Sequence, residues 1–197
     1  MTTPSLVFAT NNKHKLEEVQ QMVGPIFLLK SLHDIGCEED IPETGTTFKA
    51  NASQKSQYIF NRYQINCFAD DSGLEIDALN GEPGVYSAHY GGTRDMEQNM
   101  KLVLDRMKDA SDRSARFITV ISLILDGKEH FFKGVAEGTI IRSKTGKRGF
   151  GYDPIFQPEG YDITFAEMDM AEKNRISHRA KAINALVTFL KSQEQVS

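Results

Sequence analysis

Apolar and polar residues alternate along the first part of the chain in a pattern that predicts a strand followed by a helix. Residues Ser5–Ala9 form a short continuous apolar run, which is typical of a buried strand. After a polar stretch, apolar side chains recur at the spacing of one helix face, at Leu16, Val19 and Val23. The chain is therefore predicted to begin with a strand, a loop and a helix.

The same alternation continues to residue 69. A second helix is predicted to follow Thr46 or Thr47, either of which can cap it, and to end near Tyr63. The apolar run Ile65–Ala69 comes next and predicts a second strand. This strand is expected to end at two adjacent aspartates.

Two further helices are predicted in the second half of the chain. Asp95 can cap the first of them, whose inward stripe is predicted to consist of Met96, Met100, Val103, Leu104 and Met107. Ser177 can cap the other, which is predicted to bury Ala180, Ile183, Val187 and Leu190.

A β-hairpin lies between these helices in the pattern. The run Arg116–Leu125 is long, β-branched and apolar, and Asp126-Gly127 follows it as a typical two-residue hairpin turn. Residues Lys144–Gly151 are rich in glycine and basic side chains, which predicts a loop. Early strand–helix alternation followed by a hairpin predicts an α/β fold with a central mixed β-sheet and flanking helices.

Composition limits the class of protein. A chain of 197 residues with 40% apolar content can bury one core, so residues 1–197 are expected to form a single domain, with two lobes possible. The net charge of −4 argues against a nucleic-acid-binding protein, which needs a basic surface. No nucleic-acid partner is expected.

Nothing in the sequence indicates secretion or a membrane partner. No apolar run approaches the roughly 18 residues that a membrane-spanning helix needs, and the N-terminal residues lack a secretory apolar segment. The two cysteines, Cys37 and Cys67, lie in unrelated contexts. We therefore expect a cytoplasmic protein.

The first candidate for chemistry is the segment FADDSGLE at residues 68–75. Successive strand residues point to opposite faces, so Asp70 and Asp71 are predicted to lie in different environments. One of them could hold a turn while the other faces a cleft, and Gly73 suggests unusual torsions or a close approach of the backbone. A purely structural alternative is that both aspartates cap a turn.

The loop TNNKHK, residues 10–15, leaves the first strand and enters the first helix. The unpaired N–H groups of a helix start, together with Lys13 and Lys15, could bind a polyphosphate, although the loop lacks the P-loop pattern. The alternative is a solvated helix start. Glu43 brings a further carboxylate, and Asn51 and Lys55 share one face of the second predicted helix. Glu43 could equally just favour the helix dipole, with Lys55 in solvent.

Two late segments add candidate binding groups. The segment EKNRISHR is predicted to place four basic residues around a helix start, where cations oppose the helix dipole: Lys173, Arg175, His178 and Arg179. In GFGYDPIF, Phe150 could stack on a base or plug the core beneath a loop. Together these segments offer carboxylates for Mg²⁺, donors for phosphates and an aromatic ring for a base.

The sequence resembles the inosine triphosphatase family, the dITP/XTP pyrophosphatases. The resemblance rests on five collinear blocks that cover nearly the whole chain: ATNNKHKLEEV, ETGTTFKANA, FADDSGLEIDALNGEPGVYSA, GFGYDPIF and EKNRISHRAKA. It implies a central mixed sheet, two lobes around a deep nucleotide-binding cleft, and a homodimer. It also implies Mg²⁺-dependent hydrolysis of ITP, dITP or XTP to the monophosphate and pyrophosphate.

The resemblance also implies roles for individual residues. Asp71 is expected to be the proton acceptor and, with Glu43, a ligand of Mg²⁺. Contacts with the phosphates and the adjoining part of the substrate are expected from Thr10, Asn11, Asn12, Lys13, His14, Lys15, Lys55 and Ser72. Contacts with the base and sugar are expected from Phe150, Gly151, Tyr152, Asp153, Lys173, His178 and Arg179.

The sequence departs from the family pattern at two positions. His89 stands where the family commonly has Arg, and Asn11 replaces a frequent Gly, a milder change because Asn also accepts positive φ. Two other functions fit the same residues. One is a general NTP phosphatase that releases orthophosphate, and the other is a nucleotide-binding regulator without turnover.

Overall fold

A computed structural model describes residues 5–23 and 28–194 of the chain. The strands within these residues are β1 (Ser5–Phe8), β2 (Leu28–Lys30), β3 (Cys67–Ile76), β4 (Ser114–Leu125), β5 (Lys128–Ile140) and β6 (Phe156–Pro158). The α-helices are α1 (Lys13–Val23), α2 (Phe48–Tyr63), α3 (Met96–Arg106), α4 (Met170–Ile176) and α5 (His178–Glu194). None of the helices in this part of the chain is long and apolar enough to cross a membrane.

The six strands form one mixed sheet in the order β2-β1-β3-β4-β5-β6. Strand β1 is parallel to both β2 and β3, with Val7 opposite Lys30 on one side and Cys67 on the other. Strand β6 is antiparallel to β5, with Thr139 opposite Gln157. The predicted α/β fold with a mixed sheet is confirmed.

Several predicted boundaries are confirmed because local chemistry sets them. Thr47 caps α2 by accepting a hydrogen bond from the Ala50 amide, and Asp95 caps α3. Asp126 and Gly127 connect β4 to β5 with φ values of 50° and 77°, the left-handed torsions that a two-residue hairpin turn requires.

The prediction that the second strand ends at the aspartates is wrong. The corresponding strand, β3, runs from Cys67 to Ile76, so Asp70 and Asp71 lie in its middle and neither caps a turn. Gly73 lies within β3 and is not among the glycines with positive φ, so unusual torsions are not found there, while the expected close approach of the backbone stays a prediction. Strands β2 and β6 and the separate helix α4 were not predicted at all.

The chain divides into two compact units. The first contains residues 1–71, 119–134 and 179–197, and the second contains residues 72–118 and 135–178. The boundaries fall inside β3, β4 and β5 and just after the first residue of α5, so neighbours such as Asp71 and Ser72 belong to different units. The expectation of one domain with two lobes stays a prediction.

The core of the first unit lies on both faces of its strands. On one face Phe8 and Phe68 stack with ring centroids 4.5 Å apart, and they pack in one cluster with residues of α1 and α5. On the other face Cys67, Ala69 and Ile59 belong to a second cluster, to which α2 contributes. This alternation of faces along β3 decides where the two aspartates point.

The core of the second unit is built around aromatic rings and α3. Phe117 contacts Phe156 and Phe165 at centroid distances of 4.6 and 6.0 Å, and Met100 and Met107 of the predicted α3 stripe are buried in the same cluster. One prediction about that stripe is wrong. Met96 is 47% exposed because it lies in the first turn of the helix, at the edge of the cluster.

Candidate active site

The adjacent aspartates of β3 face opposite sides of the sheet, as their parity requires. Asp70 has the parity of Phe68 and faces α1 and α5, whereas Asp71 has the parity of Ala69 and faces α2. Their partners agree with this assignment. Lys15 of α1 contacts Asp70, and Asn51 of α2 contacts Asp71. The predicted separation of the two environments is confirmed.

The loop from Thr10 to Lys15 forms the N-terminal end of α1. The backbone N–H of Asn12 donates to Thr10 Oγ1 (3.1 Å), and Asn12 Oδ1 accepts from the backbone N–H of Lys15 (3.2 Å), so Asn12 caps the helix. Residues Asn11, Asn12, Lys13 and His14 are all exposed at this end of the helix. A capped and exposed helix start of this kind can bind a phosphate anion.

Behind this loop lies a buried network of alternating charges. Lys15 Nζ is 3.0 Å from both carboxylate oxygens of Asp70. Arg179, in the first turn of α5, forms an ion pair with Glu18 and has its Nε 3.7 Å from Asp70 Oδ2. Asp70, Glu18 and Arg179 are each at most 3% exposed. The first turns of α1 and α5 are thus joined through paired charges.

The charges in this network shift one another's pKa values. Burial alone would raise the pKa of Asp70, but the nearby cations Lys15, Arg179 and Lys55 outweigh it and hold that pKa well below its usual range. Burial lowers the pKa of Lys15, and the neighbouring cations add to this effect although Asp70 opposes it. Asp70 therefore stays ionised and is a fixed anchor for the cations.

The second carboxylate environment is formed by α2 and the segment before it. Asn51 Nδ2 donates to Asp71 Oδ2 (2.9 Å), while Asn51 Oδ1 accepts from the Gly45 amide (2.7 Å). Lys55, one turn later on the same face, forms an ion pair with Glu43. A Cβ at Gly45 would lie 2.7 Å from Asn51 Oδ1, so glycine allows this close approach.

Among the groups that surround α2, Asp71 has a pKa that is raised above that of an ordinary aspartate. Burial raises the pKa of Asp71, and Glu43 adds to the increase, although Lys55 and the hydrogen bond from Asn51 oppose it. Burial would lower the pKa of Lys55, but Asp70, Glu43 and Asp71 together raise it, so this lysine remains charged. A carboxylate with a raised pKa beside a fixed cation suits proton transfer.

Glu43 and Asp71 fit the donor set of a divalent metal site. Glu43 pairs with Lys55, and Asn51, one turn earlier on the same face of α2, donates to Asp71, so both carboxylates lie at that face of the helix. Residues 5–23 and 28–194 contain no cluster of three or more acidic, histidine or cysteine side chains that could hold an ion. Mg²⁺ commonly takes only one or two protein carboxylates and completes its shell with water and phosphate oxygens.

The remaining candidates lie in the second unit, around a buried ion pair. Asp153 Oδ2 accepts from the backbone N–H of Phe150 and from Lys173 Nζ, both at 2.8 Å. The Lys173 ammonium also lies 5.2 Å from the centroid of the Phe150 ring. A Cβ at Gly149 would lie 2.1 Å from Asp153 Oδ2, and the φ of Gly149 is 75°, so the turn requires glycine there.

Of the other predicted residues of this unit, Tyr152 and His178 are buried and Ser72 is half-buried. The hydroxyl of Tyr152 donates to the Ser87 carbonyl (2.8 Å), and its ring belongs to the core. His178 is buried and stacks on Phe117 with centroids 4.7 Å apart. Ser72 is half-buried in β3. Tyr152 therefore supports the loop from beneath, while its predicted contact with the base or sugar stays a prediction.

The expectation that EKNRISHR surrounds a single helix start is wrong. Lys173 and Arg175 lie in the last turn of α4, where the helix dipole stabilises positive charge. His178 and Arg179 begin the next helix, α5, after a break at Ser177. The two residues that begin α5 also belong to different units. The basic residues thus serve two separate environments.

Two residues of the first unit were missed as site members. Asn51 was noted only for sharing a face with Lys55, and Glu18 was not considered at all. The spacing of Glu18, three residues after Lys15 on one helix face, was the available signal. Its partner Arg179 is 161 positions away, so the sequence pattern could not identify the pair.

Comparison with known proteins identifies the family of the chain. Residues 6–189 match the sequence profile of the Ham1 family. A dITP/XTP pyrophosphatase of Flavobacterium psychrophilum is 51% identical over 188 residues, which cover 95% of this chain and 99% of that protein. A dITP/XTP pyrophosphatase of Porphyromonas gingivalis is 47% identical over 187 residues, which cover 94% of this chain and 96% of that protein.

Solved structures agree at the level of the backbone. The Ham1 protein of Staphylococcus aureus has a TM-score of 0.88 at 39% identity and covers 96% of this chain and 99% of its own. A HAM1 protein from Coxiella burnetii has a TM-score of 0.89, also at 39% identity and with the same two coverages. The resemblance stated from the sequence is confirmed.

Proposed function

The chain belongs to the Ham1 family, and from that premise we propose that it hydrolyses non-standard purine nucleoside triphosphates, namely ITP, dITP and XTP. The products are the nucleoside monophosphate and pyrophosphate, and the role is to remove these nucleotides from the nucleotide pool. The observation that carries the proposal is the 51% identity, over nearly the full length of both chains, to proteins named dITP/XTP pyrophosphatase.

The first unit is proposed to bind the triphosphate. Residues Thr10–Lys15 offer an exposed helix start to the phosphate oxygens, and Lys55 adds a charge that its acidic neighbours maintain. Ser72, which belongs to the second unit, is proposed to contribute a further contact with the substrate. Glu43 and Asp71 would hold Mg²⁺, which when bound would supply positive charge against the phosphate oxygens.

Asp71 is proposed to accept the proton of the attacking water. The water oxygen forms a bond to the α-phosphorus, the bond from that phosphorus to the bridging oxygen breaks, and pyrophosphate leaves with the electron pair. An ordinary aspartate has a pKa of about 3.9 and is a weak base at neutral pH. Burial raises the pKa of Asp71, whereas a bound Mg²⁺ would lower it, so orientation of the water by Asp71 contributes alongside acceptance of its proton. Asn51 orients its carboxylate through the 2.9 Å hydrogen bond.

The second unit, with Arg179, is proposed to select the base. Phe150 is the stacking ring, and Gly151, Tyr152 and Asp153 line the base and sugar. Donors from Lys173, His178 and Arg179 would read the purine edge. Hypoxanthine and xanthine present an acceptor oxygen at position 6 where adenine presents an amino group, and an unpaired buried donor costs about 1–3 kcal/mol.

The assembly and location are proposed from the resemblance. The enzyme would be a homodimer of the cytoplasm, with no nucleic-acid or membrane partner. Sedimentation velocity at micromolar concentrations tests the dimer, and a single monomeric species would contradict it.

A substrate panel tests the activity itself. The purified protein is incubated with ITP, XTP, dITP, GTP or ATP, with and without Mg²⁺, and pyrophosphate and orthophosphate are measured in the same samples. We expect pyrophosphate from ITP, dITP and XTP, much slower turnover of GTP and ATP, and no turnover without the metal. Orthophosphate as the product would indicate a general phosphatase, and binding without either product would indicate a regulator.

A further inference from the structure

A second polar cluster lies on the side of α2 that points away from Asn51 and Lys55. At about 100° per residue, Asn51 and Lys55 lie within about 40° of each other around the helix. The average direction of Ser53, Ser56 and Gln57 lies about 170° from the average direction of those two side chains, and the individual separations are about 100–160°. Most of the contacts of this opposite side converge on one residue of the hairpin, Glu129 of β5.

The carboxylate of Glu129 accepts three hydrogen bonds, and two of the donors belong to α2. Ser53 Oγ and Ser122 Oγ donate to Glu129 Oε1 at 2.6 and 2.7 Å, and Gln57 Nε2 donates to Oε2 at 3.0 Å. The hydroxyls of Ser56 and Ser122, both fully buried, are 2.6 Å apart. Two adjacent turns of α2 are therefore tied to β4 and β5 through a single carboxylate.

The neighbourhood of Glu129 favours its ionised form. Burial alone would raise the pKa of Glu129, but the hydrogen bonds from Ser53, Ser122 and Gln57 and the charge of Lys49 together lower it. One turn before Ser53, Lys49 of α2 lies 4.3 Å from the centroid of the Phe131 ring, two residues after Glu129 on β5. The contacts of α2 with β5 thus extend over both residues.

Contacts at two successive turns oppose rotation of α2 about its axis. Side-chain ends lie about 5–6 Å from the axis of a helix, so a rotation of about 10° moves them by about 1 Å. A misplacement of about 1 Å near reacting groups can reduce a rate by about 100-fold. The side chains displaced would be Asn51, which orients Asp71, and Lys55, which pairs with Glu43.

We infer that Glu129 is a positioning residue for the reaction, acting through α2 on Asn51 and Lys55. It fixes the rotation of the helix from the side opposite the reacting groups and contacts no substrate. This inference rests on the proposed function, because it assumes that the face of α2 that carries Asn51 and Lys55 serves hydrolysis.

The test compares three variants with the wild-type enzyme. Glu129→Ala removes the acceptor, and Glu129→Gln keeps an oxygen for both serines while removing the charge. Glu137→Ala is the matched control, because Glu137 lies on the same strand, pairs with Arg116 and belongs to the other unit. For each protein we measure kcat and KM for ITP, the Mg²⁺ concentration at half-maximal rate, and the melting temperature.

We expect Glu129→Ala to lower kcat by about 30-fold, within the range given for small misplacements, with a smaller change in KM. The Mg²⁺ requirement should rise, because Asn51 no longer holds Asp71 in place. Glu129→Gln should keep kcat within about threefold of wild type, since both serines retain their acceptor. Glu137→Ala should keep wild-type kcat even if its melting temperature falls.

A folded Glu129→Ala protein with wild-type kcat and Mg²⁺ requirement would overturn the inference, as would an equal kcat loss in Glu137→Ala. If Glu129→Ala does not fold, Ser53→Ala replaces it. Ser53→Ala removes one of the three donors, and a kcat loss below twofold there would also overturn the inference. A wild-type protein that releases no pyrophosphate from ITP would instead contradict the proposed function, so the two failures are distinguishable.

Discussion

The candidate residues of the two units are held in place by different kinds of interaction. In the first unit, charged side chains hold one another in a network, with Lys15, Asp70, Arg179 and Glu18 on one face of β3. In the second unit, the buried ion pair of Asp153 and Lys173 lies beside the rings of Phe150 and Phe165. The first arrangement suits a highly charged ligand, and the second suits a flat ring with a few polar groups.

The difference predicts how each half responds to substitution. In a network of buried charges, the loss of one member leaves several others without compensation, so stability and chemistry are both sensitive. Where one ion pair positions an aromatic loop, the loss of one partner also costs stability, and its effect on function falls mainly on the affinity for the group that stacks on the ring. Substitutions in the first unit should therefore change the rate, those in the second unit should change selectivity, and both can lower stability.

The largest effect is expected from Asp71→Asn. The amide keeps the shape of the side chain and can still accept from Asn51, but it cannot accept a proton. We expect kcat for ITP to fall by about 10³-fold, within the usual range for loss of a general base. Initial rates at saturating Mg²⁺ measure this.

Stability is the control for that variant. Because burial raises the pKa of Asp71, the folded state disfavours its ionised form, and the protein is less stable at a pH above that raised pKa. Asp71→Asn removes this penalty, so its melting temperature at pH 7 should equal or exceed that of wild type. Near-normal turnover would remove Asp71 from the chemical step, and a lower melting temperature would attribute the loss to misfolding.

Asp70→Asn should act on stability rather than on chemistry. It leaves the buried Arg179 and the half-buried Lys15 with less compensation, and removing one partner of a buried pair typically costs about 3–5 kcal/mol. We expect a loss of about 3 kcal/mol in the free energy of unfolding at pH 7, measured by urea titration.

The pH dependence gives this prediction its sign. The pKa of Asp70 is lower in the folded state than in the unfolded state, so its stabilisation is complete above the unfolded pKa of about 3.9 and is lost as the pH falls. The difference in unfolding free energy between wild type and Asp70→Asn should therefore be constant between pH 6 and 8 and shrink below about pH 4. A difference that grew in acid would contradict the assigned charge.

The residues of β3 show where sequence reasoning succeeds and where it ends. Alternation along a strand correctly assigned Asp70 and Asp71 to opposite faces, because that geometry is local. The predicted length of the strand was wrong because aspartate and glycine are depleted in strands, and both, like serine, are typical of turns. Whether these residues form a strand or a turn depends on partners distant in the sequence. Lys15, the partner of Asp70, lies 55 positions away.

The candidate site follows the same rule. Thr47 and Asp95 could be identified as caps because a cap acts within three residues. Glu129 could not be connected with α2, because its partner Ser53 is 76 positions away and serines give no distinctive pattern. The three-residue strand β2 is too short for periodicity to register. Sequence reasoning predicted the elements and the residue types, while the long-range contacts had to come from the structure.

A smaller and more selective effect is expected from Lys173→Met in the second unit. The substitution keeps the stem of the side chain but removes the ion pair with Asp153 and the contact with the Phe150 ring. We expect kcat/KM for ITP to fall by about 10- to 30-fold, mostly through KM, consistent with about 1–3 kcal/mol for stacking on a base. The ratio of ITP to ATP turnover should fall as well.

The Mg²⁺ requirement provides the control for the comparison of the two units. It should be unchanged in Lys173→Met, because the proposed metal ligands belong to the first unit. A double variant with Asp153→Asn removes both charges and tests whether the uncompensated carboxylate is responsible for the loss. A large shift in the Mg²⁺ requirement would mean that the two units do not divide the work as proposed.

The smallest effect is expected where the aromatic loop meets α3. Gly151 directly follows Phe150, the proposed stacking ring, and its backbone N–H lies 2.9 Å from the sulfur of Met96. At the other end of the loop, Lys144 pairs with Glu97 (2.7 Å). Met96→Leu removes the weak acceptor but keeps the apolar bulk, so KM for ITP should rise by about two- to threefold with kcat unchanged, as expected for loss of a hydrogen bond worth about 0.5 kcal/mol. Met170→Leu is the control, since Met170 has a similar exposure. Equal KM shifts in both variants would show that the sulfur of Met96 does not hold the loop, and the second unit would then depend on the Asp153–Lys173 pair without support from α3.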